Sequence, residues 1–164
     1  MEIATYKDVL LTLAQIAITL IGFSGIVVIF GKRSEAQWTP EESLQLYALI
    51  APSFIVLVGA FIPILISTVI ENPSLIWRIS NGITGFIMSL NFAYFMSNPN
   101  RAKMTIGHKI SAFLGIFVLL SYFLAALAVL PWYVFIYIFG LIWSVFIGIH
   151  NFVLLFGWRI KLRT

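Results

Sequence analysis

The sequence predicts an all-α fold: one polytopic bundle of transmembrane helices over residues 1–164, with five spans. Three observations predict it. Of 164 residues, 61% are apolar and only 10% are charged, against about 25% charged in soluble domains. The apolar residues come in runs of about 20 or more, the length a helix needs to cross a hydrocarbon core of about 30 Å. The charged residues gather at the ends of those runs. A soluble chain of this size leaves about 30% of its unfolded surface facing water, and this one has too few polar groups to cover it.

The first span is about 9–30 and is closed by Gly31-Lys32-Arg33. Its apolar run is too long for a signal peptide and ends in basic residues, so it reads as a retained helix. The second begins at Thr39-Pro40-Glu41-Glu42. Threonine accepts from the backbone three residues on, Glu42 bonds back to the cap, and proline suits the first turn. The amphipathic start Ser43 to Tyr47 is expected in the interface, and the span itself is about 44–70. Pro52 and Pro63 each remove a backbone hydrogen bond, so a kinked helix is expected. Glu71-Asn72-Pro73-Ser74 is a turn. The third span is about 75–96, stopped by Asn98-Pro99-Asn100. The apolar block from Ile110 to Trp158 is too long for one crossing. Pro131, next to Trp132, divides it into spans of about 107–130 and 132–157.

Five spans put the termini on opposite sides. Lys7 and Arg78 then fall on one side, and Lys32, Arg33, Arg101, Lys103, Lys109, Arg159, Lys161 and Arg163 on the other. Basic residues favour the cytoplasmic side, so the N-terminus is expected outside and the C-terminus inside. Trp38 and Trp158 mark the inner interface, Trp77 and Trp132 the outer, and Trp143 falls within a span as internal packing.

The chain has no cysteine, which removes disulfides, thiolate metal sites and cysteine nucleophiles. The net charge of +4 reads as orientation and attraction to anionic lipids at the cytoplasmic face, not as nucleic-acid binding. Charge inside a membrane is expensive and usually functional. Here Glu2, Asp8, Glu35, Glu41, Glu42 and Glu71 all lie at or beyond span ends. That weighs against a proton-driven pump, a voltage sensor and a carboxylate-based cation transporter. No cofactor and no metal site are expected. Only His108 can add a second imidazole to His150, and no short ligand spacing joins them.

Candidate residues are therefore uncharged. Asp8, Thr12, Gln15, Thr19 and Gly22 recur at offsets of four and three along one face of the first helix. Such a stripe either lines a water-filled path or packs by hydrogen bonds against another helix. Gly140, Ser144, Gly148 and Asn151 form a small-residue face on the fifth helix, read as close packing. His150 is a gate or ligand contact, or a neutral histidine bonded to a neighbouring helix. Asn81, Thr84, Ser89 and Asn91 on the third span call for interhelical partners. By depth, Ser24, Asn91, Tyr94, His150 and Asn151 form an inner polar layer. Thr12, Gln15, Ser67, Thr68, Asn81 and Thr84 form an outer one. In a channel, the apolar middle between them would be the constriction.

Two resemblances attach to the first span. Gly22-Phe23-Ser24-Gly25 resembles the GxSG nucleophile motif of rhomboid intramembrane proteases, with His150 at the depth of a base. The match covers four residues. The rhomboid serine and histidine stand on the fourth and sixth core spans, whereas Ser24 is on the first. The glycines that follow the rhomboid histidine are missing after His150. The longer run Leu20-Ile21-Gly22-Phe23-Ser24-Gly25-Ile26-Val27-Val28-Ile29-Phe30-Gly31-Lys32-Arg33, with Trp38-Thr39-Pro40-Glu41-Glu42, is similar to the first third of small bacterial multi-pass membrane proteins of uncharacterised activity. That resemblance implies a bacterial inner-membrane protein and carries no activity.

The expected role is a small, non-enzymatic, homo-oligomeric channel or channel-like protein in the lipid bilayer, with the first helix lining a path at the subunit interface. The alternative is a non-conducting scaffold or accessory subunit. The minor alternative is a rhomboid-like serine protease, which needs Ser24 and His150 within hydrogen-bond reach.

Overall fold

The computed structural model describes the backbone of residues 3–32, 39–99 and 106–161. Glu2, Arg33, Glu35, Trp38, Asn100, Arg101, Lys103 and Arg163 lie outside the described residues. For Lys32, Glu41, Trp158, Arg159 and Lys161 only the backbone is described. The described residues are all helical or in short connections. A single 3₁₀ turn, Ile3–Tyr6, leads into five helices: α1 Lys7–Lys32, α2 Pro40–Ile66, α3 Pro73–Ser97, α4 Ile106–Ala126 and α5 Tyr133–Lys161. Four of them, α1, α2, α4 and α5, are long and apolar enough to cross a membrane. That is the mark of an integral membrane protein.

Local chemistry sets the helix ends. Thr39 accepts from the Glu42 N–H at 3.2 Å, and the Thr39 N–H donates to Glu42 Oε2 at 2.9 Å. This is the capping box expected from the sequence. Asn72 caps α3 by accepting from the Leu75 N–H at 3.2 Å. The long apolar block is broken between Ala126 and Tyr133, but Pro131 does not set the stop. Ala128 takes a left-handed conformation, φ 62°. The Val129 N–H bonds to the Leu124 carbonyl at 2.9 Å, and the Ala128 N–H to Ala125 at 3.1 Å. This six-to-one and five-to-two pair is a Schellman closure. It ends α4 before residue 130, where the sequence reading placed the end. Arg78 adds a side-chain cap, donating from Nε to the Ala126 carbonyl at 3.1 Å.

α2 and α5 pack most extensively on each other and form the centre; α1 and α3 flank α2, and α4 packs on α3 and α5. α1 buries Leu10, Leu13, Ala14, Ala17 and Leu20, an i, i+3, i+4, i+7 stripe. The small face of α5 finds its partners inside the same chain. A Cβ on Gly140 would overlap the Tyr122 ring, and one on Gly148 would stand 3.0 Å from Ser53 Oγ and 3.3 Å from Leu20 Cδ1. The outside of the bundle is apolar all round: Ile18, Phe54, Leu65, Phe86, Phe113, Leu120, Phe135 and Phe146 are all exposed. A surface that apolar suits hydrocarbon, not water.

α3 is not among the four apolar helices because its polar residues lower its mean hydropathy. Ser80, Asn81 and Thr84 are nevertheless fully buried against other helices, while Leu75, Ile83, Phe86 and Leu90 face out. Trp77, expected at an interface, is instead buried in the core. Tyr6 and Tyr137 ring it edge-on, at 5.7 and 5.5 Å between centroids.

Candidate functional site

A cavity of about 100 Å³ lies between α2, α3, α4 and α5. Most of its wall is apolar: Ala48, Pro52, Ile55, Met88, Phe92, Phe95, Ala112, Leu119 and Ile147. Its polar lining is Tyr47, Asn91, His108, Ser111, Trp143, Ser144, His150 and Asn151. No lining residue carries a permanent charge.

The antiparallel run of α4 and α5 builds the polar part. His108, counted back from the end of α4, and His150, counted forward from the start of α5, lie almost equally far from the turn. The rings therefore meet, with centroids 5.4 Å apart and planes at 64°. Asn151 Nδ2 donates to the Ile147 carbonyl of its own helix at 2.8 Å, which leaves Oδ1 as the acceptor for His108. His108 Nε2 stands 2.9 Å from that oxygen. The amide orientation therefore places a proton on His108 Nε2. On the other wall, Tyr47 donates to Asn91 Oδ1 at 2.7 Å and stacks obliquely on Tyr94 at 4.7 Å. Asn91 thus has the interhelical partner its position calls for. Ser144 donates to the Gly140 carbonyl at 3.1 Å. Two buried nitrogens on the lining residues have no partner among the described residues: Trp143 Nε1 and His150 Nε2. Pro52, also on the wall, offers no N–H to the Ala48 carbonyl one turn back.

The remaining candidates fall elsewhere. Thr12, Gln15, Thr19 and Gly22 are all exposed on the outer face of α1. Thr12 donates to the Asp8 carbonyl at 2.8 Å and Thr19 to the Gln15 carbonyl at 2.9 Å, so both hydroxyls are satisfied within the helix. The Gln15 amide has no partner among the described residues. A Cβ on Gly22 or Gly25 would meet nothing within 4 Å. Ser24 is buried and donates to the Ile21 carbonyl at 2.6 Å. It is not part of the cavity wall and makes no hydrogen bond to His150. Asn81 reaches across to the Tyr133 carbonyl at 3.0 Å, and Thr84 to Tyr137 Oη at 3.0 Å. Ser67 and Thr68 donate to backbone carbonyls at the end of α2.

The structure thus brings Asn91, His150 and Asn151 into one cavity and leaves Ser24 and the α1 stripe out of it. Sequence reasoning set His108 aside for want of a short spacing and read Trp143 as packing. Folding the two apolar runs back at their break, and matching distances from it, is the signal that pairs His108 with His150. Nothing local marks Tyr47. Among the described residues no group of three histidine, cysteine or carboxylate side chains is placed to hold a metal ion. The chain matches no protein-family model, and neither the curated proteins nor the solved structures contain a match to it.

Proposed function

We propose that the chain is a five-span protein of a bacterial inner membrane, N-terminus out and C-terminus in, that assembles as a homo-oligomer through α1 into a small channel-like protein. The observation that carries this reading is the outer face of α1. Gln15 is exposed there with its amide unpartnered, and Gly22 offers open space where a neighbouring backbone fits. An unpaired amide facing hydrocarbon costs several kcal/mol. A second copy or a water-filled path removes that cost. The contrast with the other glycines supports it: Gly59, Gly85, Gly140 and Gly148 are all filled by this chain's own side chains, and Gly22 is not.

The fifth span is α3. Its 25 residues are about 37 Å long at 1.5 Å per residue, enough to cross. Its buried polar residues are hidden from lipid. The charge bias of the ends and the first-span resemblance support the orientation and the bacterial membrane.

The test uses the cysteine-free background. Cysteines at Ala4 and Thr164 should label from opposite faces, and a cysteine at Gly22 should cross-link copy to copy. In liposomes, Gln15→Leu should lower ion flux and leave the oligomer intact. Labelling from one face only removes the five-span topology.

The scaffold reading has its own support. Thr12 and Thr19 turn their hydroxyls back onto α1 and so offer little to water. A stable oligomer with no flux under varied ions, pH and tension would establish that reading instead.

A further inference from the structure

The two halves of α4 are held to the bundle in different ways. We infer that the first half, Ile106 to Gly115, is a movable gate between the cavity and the bilayer, pivoting at Gly115 and latched by His108 on Asn151.

The second half is fixed. Tyr122 is fully buried and donates to the Tyr137 carbonyl at 3.0 Å. A Cβ on Gly85 would stand 3.0 Å from Tyr122 Cβ, and one on Gly82 3.6 Å from Ala126 Cβ, so α3 lies directly against this half. Arg78 and the Schellman closure hold its end. The first half lacks such packing. Between His108 and Val118 no residue of α4 is buried. Ser111, Ala112 and Gly115 face inward there; they are small and line the cavity. Ile110, Phe113, Leu114, Ile116 and Phe117 face outward and are exposed. This stretch of helix therefore separates the cavity from hydrocarbon. Few buried apolar contacts oppose its movement, which is the mark of a segment that opens locally.

The pivot is set by local chemistry. Glycine has the freest backbone and is a weak helix former. Three residues on, the Val118 carbonyl accepts from Ser121 Oγ at 2.7 Å, a side-chain bond that competes with the helix ladder and favours a bend. Val118 is also where burial resumes. Gly115 and Val118 thus stand at the border between the loose half and the fixed half. The latch is at the far end of the loose half. His108 is buried, its Nε2 stands 2.9 Å from Asn151 Oδ1, and its ring meets that of His150. Asn151 is itself buried and held to its own helix through Ile147, so the latch is anchored on α5.

The test measures distances by electron paramagnetic resonance between spin labels on paired cysteines. It uses the full, otherwise cysteine-free chain in phosphatidylcholine nanodiscs, diluted with unlabelled chain. One pair joins Ile110 to Ile26, reporting the first half of α4. A control pair joins Leu124 to Val9, reporting the second; all four positions are exposed. The Ile110–Ile26 distances should include a longer population that the Leu124–Val9 distances lack. His108→Phe keeps a ring and removes the donor, and should raise that population about threefold, the shift for one interhelical hydrogen bond. His108→Gln returns a donor at similar reach and should restore the parental distances. Gly115→Ala fits, since its Cβ would stand 3.9 Å from Trp143 Nε1, and should narrow the Ile110–Ile26 distances. Thermal melting of each variant reports whether the bundle is intact. If His108→Phe does not fold, Gly115→Ala decides. Equal spread of both pairs in the parent, or Ile110–Ile26 distances unmoved by His108→Phe and by Gly115→Ala, overturns the inference.

Discussion

Pro63 and Pro52 both lie inside α2, and each withholds an N–H from the carbonyl one turn back, Gly59 and Ala48 respectively. Around Pro63 the bundle closes over the gap. Tyr137 donates its hydroxyl to the Gly59 carbonyl at 2.6 Å. With its single proton committed, Tyr137 Oη must accept from Thr84, 3.0 Å away. Tyr122 in turn donates to the Tyr137 carbonyl at 3.0 Å, and the Tyr122 and Tyr137 rings meet edge to face. Four helices, α2 to α5, are fastened around one broken backbone bond. Around Pro52 a cavity remains, with neutral donors and acceptors on its wall. The closed region is not perfect: Trp77 Nε1 and Asn81 Oδ1 are buried there without partners among the described residues. Neither residue lines the cavity. The comparison teaches that a proline in a membrane helix is structural where a neighbour supplies the missing donor. Beside Pro52 no side chain among the described residues is drawn into that role, and the cavity lies there instead.

The largest expected effect tests how tightly the closed region is packed. Gly140→Ala drives a methyl into the Tyr122 ring, which is fully buried and held by its own hydrogen bond. Equilibrium unfolding in micelles should show a loss of about 3 kcal/mol, the upper end for overpacking. A loss under about 1 kcal/mol would mean that the ring has somewhere to go. Next, Tyr137→Phe strands the Gly59 carbonyl and the Thr84 hydroxyl together and should cost about 2 kcal/mol. A neutral result would remove the claim that Tyr137 repairs the Pro63 break.

Smaller effects of other signs sharpen the contrast. Ala128 closes the α4–α5 turn at the tyrosine end in a left-handed conformation that favours glycine. Ala128→Gly should raise stability by about 0.5 kcal/mol; a loss would show that the turn opens in the bilayer. The smallest effect is expected in the cavity. Trp143→Phe removes a buried donor that has no partner, so stability should stay within about 0.5 kcal/mol of the parent or rise. A loss as large as that of Tyr137→Phe would erase the difference between the two regions.

The cavity and the tyrosine cluster differ also in how legible they are in sequence. Asn91, His150 and Asn151 stand out because a polar side chain in an apolar run is costly unless partnered. Their gathering at one depth follows from span arithmetic. Tyr47 and Trp143 carry no such mark, because tyrosine and tryptophan are ordinary in spans and near interfaces. His108 was visible but isolated; Asn151, its partner, is 43 residues away.

The sequence by itself determined the class, the helices and most of their ends. Each of these depends on neighbours within a turn or two: apolar runs of span length, the Thr39–Glu42 box, the Asn72 cap and the break near Pro131. It also determined the α1 stripe, since a helix places residues three and four apart on one face whatever surrounds it. The tertiary structure decided which way that stripe points. Leu10, Leu13, Ala14 and Ala17 take the interior, so Thr12, Gln15 and Thr19 face outward. It decided that the small face of α5 serves this chain's own Tyr122, Leu20 and Ser53. It decided too that Tyr137 meets Gly59 across 78 residues of chain, while the Ala48 carbonyl beside the cavity gets no N–H from Pro52. Composition cannot distinguish those outcomes, because a freed carbonyl is identical in both. Only the packing of α5 against α2 brings a hydroxyl to one proline and leaves space beside the other.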